Sequence, residues 1–279
     1  MNKKLTLIPV GGLANRMRTI NSVIEFCNGD NRDLSIIWFL DHGLNCSFYD
    51  LFQPIEVDGL NIQLRDNSFT DLWIYDRPRL KNLHIPYVFE SVLFSKCIYE
   101  KISHKMFRNN ISLNKFCEYK NIYLASFWGN YPLSSNYNVF KPINTLSQKI
   151  NEISSQFTKY TIGIHIRRTD HINAIGKSPT ELFIEKMKNE LNKNENTNFY
   201  LASDSIEEKQ TLKNTFGDKL ITSFDETHRD TKKGIQDSLI DLYALSRTSH
   251  IYGSYDSSFS QTAALISNIG FTEIYKTGK

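Results

Sequence analysis

Apolar positions recur along this chain with two different periods, and the two take turns. Leu5 to Val10 is a short apolar run that stops at Gly11-Gly12, which predicts a strand followed by a turn. Beyond the glycines, Ile20, Val23, Ile24 and Cys27 fall at helical spacing, so Gly11-Gly12-Leu13-Ala14-Asn15-Arg16 leads into a helix. Leu34 to Leu40 is again continuously apolar and predicts a second strand. The opening is therefore β-α-β. Residues from about 45 to 120 are rich in aromatics, among them Phe48, Phe52, Trp73, Tyr87 and Phe89, and show no clean period. Tyr123 to Trp128 predicts a further strand that ends near Gly129.

The second half alternates more regularly. Strands are expected at Tyr160 to Ile166, Asn198 to Ser203, Leu220 to Ser223, His250 to Tyr252 and Thr272 to Tyr275. Helices are expected at Pro179 to Leu191, from Ser205 to about Thr215, at Ile235 to Arg247 and at Ser260 to Ser267. Pro179 suits a first helical turn, and Ser205-Ile206-Glu207-Glu208 has the spacing of a capping box. Strict β/α alternation predicts parallel, doubly wound sheets, whose ligands lie beyond the carboxyl ends of the strands. A polar stretch near Gln148 to Lys159 separates the two β/α halves. The expected organisation is α/β with two facing Rossmann-like lobes, residues 1–150 and 151–279.

Composition narrows the function. In 279 residues the hydrophobic fraction is 40% and the aromatic fraction 13%, enough for ordered cores. With 33 basic and 30 acidic side chains the net charge is +3, too even for nucleic acid or an anionic membrane to be the leading partner. Cys27, Cys46, Cys97 and Cys117 have no Cys-x-x-Cys spacing, so reduced thiols are expected and a zinc site is not. The apolar run at the amino end is too short for a signal peptide, and no stretch has the length of a membrane span. A cytoplasmic protein is expected, with peripheral contact to a membrane surface left open.

The chemistry concentrates in Ile162-Gly163-Ile164-His165-Ile166-Arg167-Arg168-Thr169-Asp170. On a strand, Ile162, Ile164 and Ile166 share one face while His165 and Arg167 share the other. A break at Arg168 would deliver two guanidiniums to the strand's carboxyl end. Each is a permanently charged planar fork matched to phosphate, so the pair suits a diphosphate.

His-x-Arg-Arg-x-Asp after a strand resembles the first motif of the α1,2-, α1,6- and protein O-fucosyltransferase superfamily. Tyr200-Leu201-Ala202-Ser203-Asp204 looks like its second motif, and Ser257-Ser258-Phe259-Ser260-Gln261-Thr262 like its third. Asp241 matches the acid of the helix between them. Gly11-Gly12-Leu13-Ala14-Asn15 is similar to the Gly-x-x-(Gly/Ala)-Asn loop of the family's first lobe. The likeness covers about residues 160 to 270 and 7 to 27.

This resemblance implies a GT-B architecture and an inverting, metal-independent glycosyltransferase. It implies GDP-fucose as donor, a glycan as acceptor, and no cofactor. The chain contains no Asp-x-Asp motif of the kind that holds a divalent metal against a sugar nucleotide. By the same resemblance His165 and Asp241 contact guanine, Asp204 faces the nucleotide, and Ser258, Phe259 and Ser260 line the phosphate site. Gly12 and Asn15 are expected on the donor side, and Arg167, Arg168, Asp170 and His171 in catalysis. Animal members carry a second acid where this chain has Ser205, and a Glu soon after the arginines where this chain has His171-Ile172-Asn173. The base stays open among Asp170, His171, Glu181 and an acid of the first lobe. Two other readings stay open: the same fold with GDP-mannose or a dTDP-sugar, and a catalytically silent nucleotide-sugar or glycan-binding module.

Overall fold

Two five-stranded sheets, parallel throughout, organise the computed structural model. It describes residues 2–75, 85–129, 136–168, 172–224 and 230–276. The chain divides into one unit of residues 1–143 with 229–232, and another of 144–228 with 233–279.

In the first unit, β1 (Lys3–Pro9) leads through Gly11-Gly12 into α1 (Leu13–Gly29) and then β2 (Arg32–Trp38). The region with no readable period holds β3 (Ile62–Asp66), α2 (Ile85–Leu93), β4 (Lys96–Ile98) and α3 (Glu100–Arg108), with β5 (Asn121–Ser126) after it. The sheet order is β3-β2-β1-β5-β4. Leu5, Leu7, Ile36, Ile122 and Leu124 are fully buried, and each such side chain contributes about 1.5–3 kcal/mol by leaving water. The Lys232 ammonium pairs with Asp50 at 2.6 Å, and Asn45 donates to the Asp230 carbonyl at 3.1 Å. These contacts attach the short 229–232 segment to the first unit.

The second unit begins with α4 (Asn144–Ser154) and continues through β6 (Thr161–Ile166), α5 (Ile172–Lys177), α6 (Thr180–Lys193), β7 (Asn198–Ser203) and α7 (Ile206–Phe216). Then come β8 (Leu220–Ile221), α8 (Lys232–Ser246), β9 (His250–Ser254), α9 (Ser258–Ser267) and β10 (Gly270–Ile274). The order is β10-β9-β6-β7-β8. Ile162, Ile164 and Ile166 pack in one cluster with Phe183 and Met187 of α6 and Leu212 and Phe216 of α7. That cluster occupies the face that strand alternation assigns to the three isoleucines.

The boundary expected after residue 150 falls inside α4. The division precedes this helix because Arg247 Nη1 donates to Asn151 Oδ1 and Ser154 Oγ, both at 2.7 Å, and so holds the helix to the second unit. Pro179 stands just before α6 as its N-cap, not in the first turn. The capping box expected at Ser205 is half formed. Ser205 Oγ accepts from the Glu208 N–H at 3.2 Å, but the Glu208 carboxylate turns elsewhere. All four cysteines are free thiols, and burial pushes Cys27 and Cys46 up to about 12. Among the described residues no helix is long and apolar enough to cross a membrane.

Candidate functional site

The central strand β6 ends between β7 and β9, and both neighbours hold its exit. The Arg167 N–H donates to Ser254 Oγ on β9 at 3.1 Å. The Arg168 N–H donates to Asp204 Oδ1, just past β7, at 2.7 Å. Two consecutive amides at the carboxyl edge are therefore fixed from opposite sides. Asp204 is not the helix cap, a role that Ser205 fills.

Side chains separate to the two faces of the sheet as the pleat requires. His165 is buried, with Nδ1 2.7 Å from Ser260 Oγ and 3.4 Å from Ser257 Oγ. Its ring stacks on Phe259, centroids 4.8 Å apart. Opposite His165 in the ladder stands Gly253. A Cβ there would overlap the Ser260 hydroxyl and crowd the Phe271 ring. The glycine lets α9 approach the sheet closely enough to support His165. Ser260 is wholly buried, so its hydroxyl serves the histidine, whereas Ser258 and Phe259 remain half-buried in the first turn of α9.

Arg168 departs from the expectation that both guanidiniums serve a phosphate. Its Nε pairs with Glu208 Oε1 at 2.6 Å and its Nη2 donates to Thr180 Oγ1 at 3.0 Å. The Thr180 hydroxyl in turn donates to Glu208 Oε1 at 2.6 Å. This closed triangle joins the end of β6 to the starts of α6 and α7. The cause is geometric: consecutive residues leave a strand on opposite sides, so Arg168 goes to the side of α6 and α7. Glu208 was visible in the sequence only as half of a capping box, and Thr180 carried no signal.

Asp241 lies buried on α8 and accepts the Tyr200 hydroxyl hydrogen at Oδ1, 2.5 Å. Burial, and then the adjacent carboxylate, push the Tyr200 phenol well above its ordinary value. Tyr200 therefore stays a donor. Sequence reasoning took it only as part of a strand motif. Asp170 and His171 lie outside the described residues. Glu181, the other base candidate of this unit, is exposed in the first turn of α6.

In the first unit, Gly11 has φ +86° and Gly12 caps α1. Arg16, fully buried, donates through Nε to the Gly11 carbonyl at 2.9 Å and through Nη1 to the Phe39 carbonyl at 2.6 Å. Its Nη2 lies 3.2 Å from Asp41 Oδ1. The geometry of the turn is thus set from within by a buried ion pair, and the turn places Gly12 and the half-buried Asn15 at the carboxyl edge of β1. Asn15 Oδ1 accepts from Arg18 Nη2 at 3.0 Å.

No protein-family model and no curated protein sequence matches the chain. Solved structures do. The fucosyltransferase NodZ from Bradyrhizobium superposes with a TM-score of 0.64 at 15% identity, over 95% of this chain and 94% of that one. A mutant of FUT1 from Arabidopsis thaliana, in complex with GDP, gives 0.62 at 14% identity, over 100% of this chain and 71% of that one. POFUT1 in complex with GDP-fucose gives 0.60 at 12% identity, over 98% of each chain. With two parallel five-stranded sheets and this likeness across almost its whole length, the chain has the GT-B fold of these fucosyltransferases.

Proposed function

We propose that this chain is an inverting, metal-independent glycosyltransferase that transfers L-fucose from GDP-fucose to a hydroxyl of a glycan acceptor. The observation that carries the reading is the braced exit of β6, where Arg167 and Arg168 are held by Ser254 and Asp204. It lies at the strand end where doubly wound sheets take their ligands. The solved neighbours named above were determined with GDP or GDP-fucose in two cases, which supports the same donor here.

In this reading negative charge builds on the departing β-phosphate as the glycosidic bond breaks. A preorganised guanidinium stabilises that charge as it develops. Arg167 supplies it, and Arg168 holds the segment through Glu208. Asp241 receives the guanine N1–H and 2-amino group, with His165 beside the base. Ser258, Phe259 and Asp204 complete the donor site of this unit, and Asp170 or His171 takes the acceptor proton. No cofactor is required.

Calorimetric titration with GDP, UDP and dTDP, each in EDTA, tests the donor. GDP alone is expected to bind tightly, and transfer from GDP-fucose is expected to survive EDTA. Preference for UDP or dTDP, or turnover that EDTA abolishes and Mn²⁺ restores, would sink the reading.

A further inference from the structure

We propose that one face of α3 in the first unit binds an anionic oligosaccharide, a glycan chain that carries repeated negative charges. The inference deepens the glycosyltransferase reading by naming the class of acceptor, and it rests on that reading only for the acceptor's being a glycan.

Lys101, Lys105 and Arg108 recur at helical spacing along one side of α3, and all three are exposed. The buried residues of the helix, Ser103 and Met106, lie on another side. With His104 and Asn109 the three cations line an open cavity of about 490 Å³. None of the three has a carboxylate partner among the described residues. Glu100 is the only acid of the helix; its Oε2 is buried, and it pairs with none of them. Every described side chain at the cavity wall therefore offers hydrogen-bond donors, and no carboxylate among the described residues competes for them.

Helix stability does not account for the row. Lys105 and Arg108 in the last turn offset the helix dipole, but Lys101 in the first turn works against it. The wall itself is fixed. The His104 ring lies on Trp128 with centroids 4.9 Å apart and planes 5° from parallel, and Phe107 stacks on the same indole at 4.9 Å. Arg18 of α1 reaches over that ring at 5.6 Å, and the Trp128 carbonyl accepts from Thr19 Oγ1 at 2.9 Å. These contacts tie α3 to α1, so the cations project from a braced helix. Lys101 and Arg108 stand about 10 Å apart along its axis, which matches a chain of repeated charges and not a lone phosphate. A nucleic acid calls for a broadly basic surface, and the net charge here is only +3. A bilayer calls for an apolar face, and α3 exposes one large apolar side chain, Ile102. A glycan with acidic groups combines the charge that these donors require with the substrate class of the proposed reaction. Contacts to a part of the acceptor away from the reacting hydroxyl supply binding energy that holds it for transfer.

The test is calorimetric titration of the full chain with tetragalacturonate, and with maltotetraose as its uncharged counterpart, at low and high salt. Tetragalacturonate is expected to bind, more weakly as salt rises, and maltotetraose is not. The triple variant Lys101→Gln/Lys105→Gln/Arg108→Gln should weaken binding about 10-fold, the scale of three exposed charge contacts, while Lys101→Arg/Lys105→Arg should retain it. The substituted positions are exposed, and unchanged thermal melting confirms that each variant is folded. Failure of tetragalacturonate to bind overturns the proposal, as does equal binding of both oligosaccharides or undiminished binding by the triple variant. Tighter binding of inorganic phosphate or of oligothymidylate than of tetragalacturonate overturns it in favour of a different anion. So does sedimentation with phosphatidylglycerol vesicles that the triple variant abolishes. GDP titration of the same protein keeps the two readings apart: if GDP fails to bind while tetragalacturonate binds, the donor reading falls and this site stands.

Discussion

Tyr200 on β7 donates its hydroxyl hydrogen to Asp241 on α8, across 2.5 Å and with both side chains almost wholly buried. A strand residue thereby orients an acid that belongs to a helix. In a low-dielectric setting such a charge-assisted bond is strong, and losing it leaves the carboxylate less well held.

Tyr200→Phe removes only the donor. It should cost about 1.5–3 kcal/mol of stability, the scale of one hydrogen bond to a charged group. GDP affinity should fall with it, and Asp241→Ala should lower that affinity at least as far while retaining the fold. Chemical denaturation and calorimetric titration read the two effects separately. Lost stability with unchanged GDP affinity in both variants would confine the pair to the core.

The two arginines should differ. Arg167→Lys is expected to cut turnover by about two orders of magnitude, the effect of removing one preorganised donor of a developing anion. Sugar-nucleotide affinity should fall less. Arg168→Lys and Glu208→Gln should instead lower the melting temperature by similar amounts, and their double variant should lose much less than the sum, because they share one contact. Steady-state kinetics and melting curves of these variants check the division. A greater kinetic loss at Arg168 than at Arg167 would reverse the assignment.

Gly253→Ala should disturb His165 without touching it. The added methyl overlaps Ser260, so α9 must move away from β9, at a cost of about 1–3 kcal/mol for overpacking. Ser260→Gly in the same chain should recover part of that stability. Thermal melts of the single and double variants decide the point; no recovery would mean that the glycine serves a different neighbour.

Acid stability of the first unit should depend on Asp71. The hydrogen bond from Arg65, and then burial opposed by the Ser68 contacts, leaves its carboxyl lowered to about 2. A depressed folded value means stability that is complete above the unfolded value of about 4 and is lost as the pH falls from there towards 2. Asp71→Asn should therefore melt lower than wild type at pH ~6, with the gap closing in that acid window. Parallel melts across the range provide the check, and a constant gap would rule out this linkage.

Alternation of period made the second unit readable. The three inner strands of its sheet, β6, β7 and β9, were placed from apolar runs, because parallel strands buried on both faces are continuously hydrophobic. The region from 45 to 120 resisted for the opposite reason. Strand β4 has three residues, and α2 carries its apolar residues outward, so neither obeys the rule that periodicity reflects a buried face. At the site, alternation correctly separated His165 from the isoleucines. It did not give the fate of Arg168, because the partner that receives it, Glu208, lies 40 positions away in the chain, and no local pattern joins them. Arg16 is similar: its buried pairing with Asp41 is a tertiary fact that the motif Gly-Gly-Leu-Ala-Asn-Arg does not spell out.

The chain passes from the first unit to the second at residue 144, returns for residues 229–232, and leaves again. A truncation that ends at residue 143 would look like a whole module on paper. It would lack the strand of backbone that brings Lys232 to Asp50 and Asp230 to Asn45. Neither unit is one continuous stretch, so exchanging either of them for its counterpart in another protein of this fold needs a graft with three junctions.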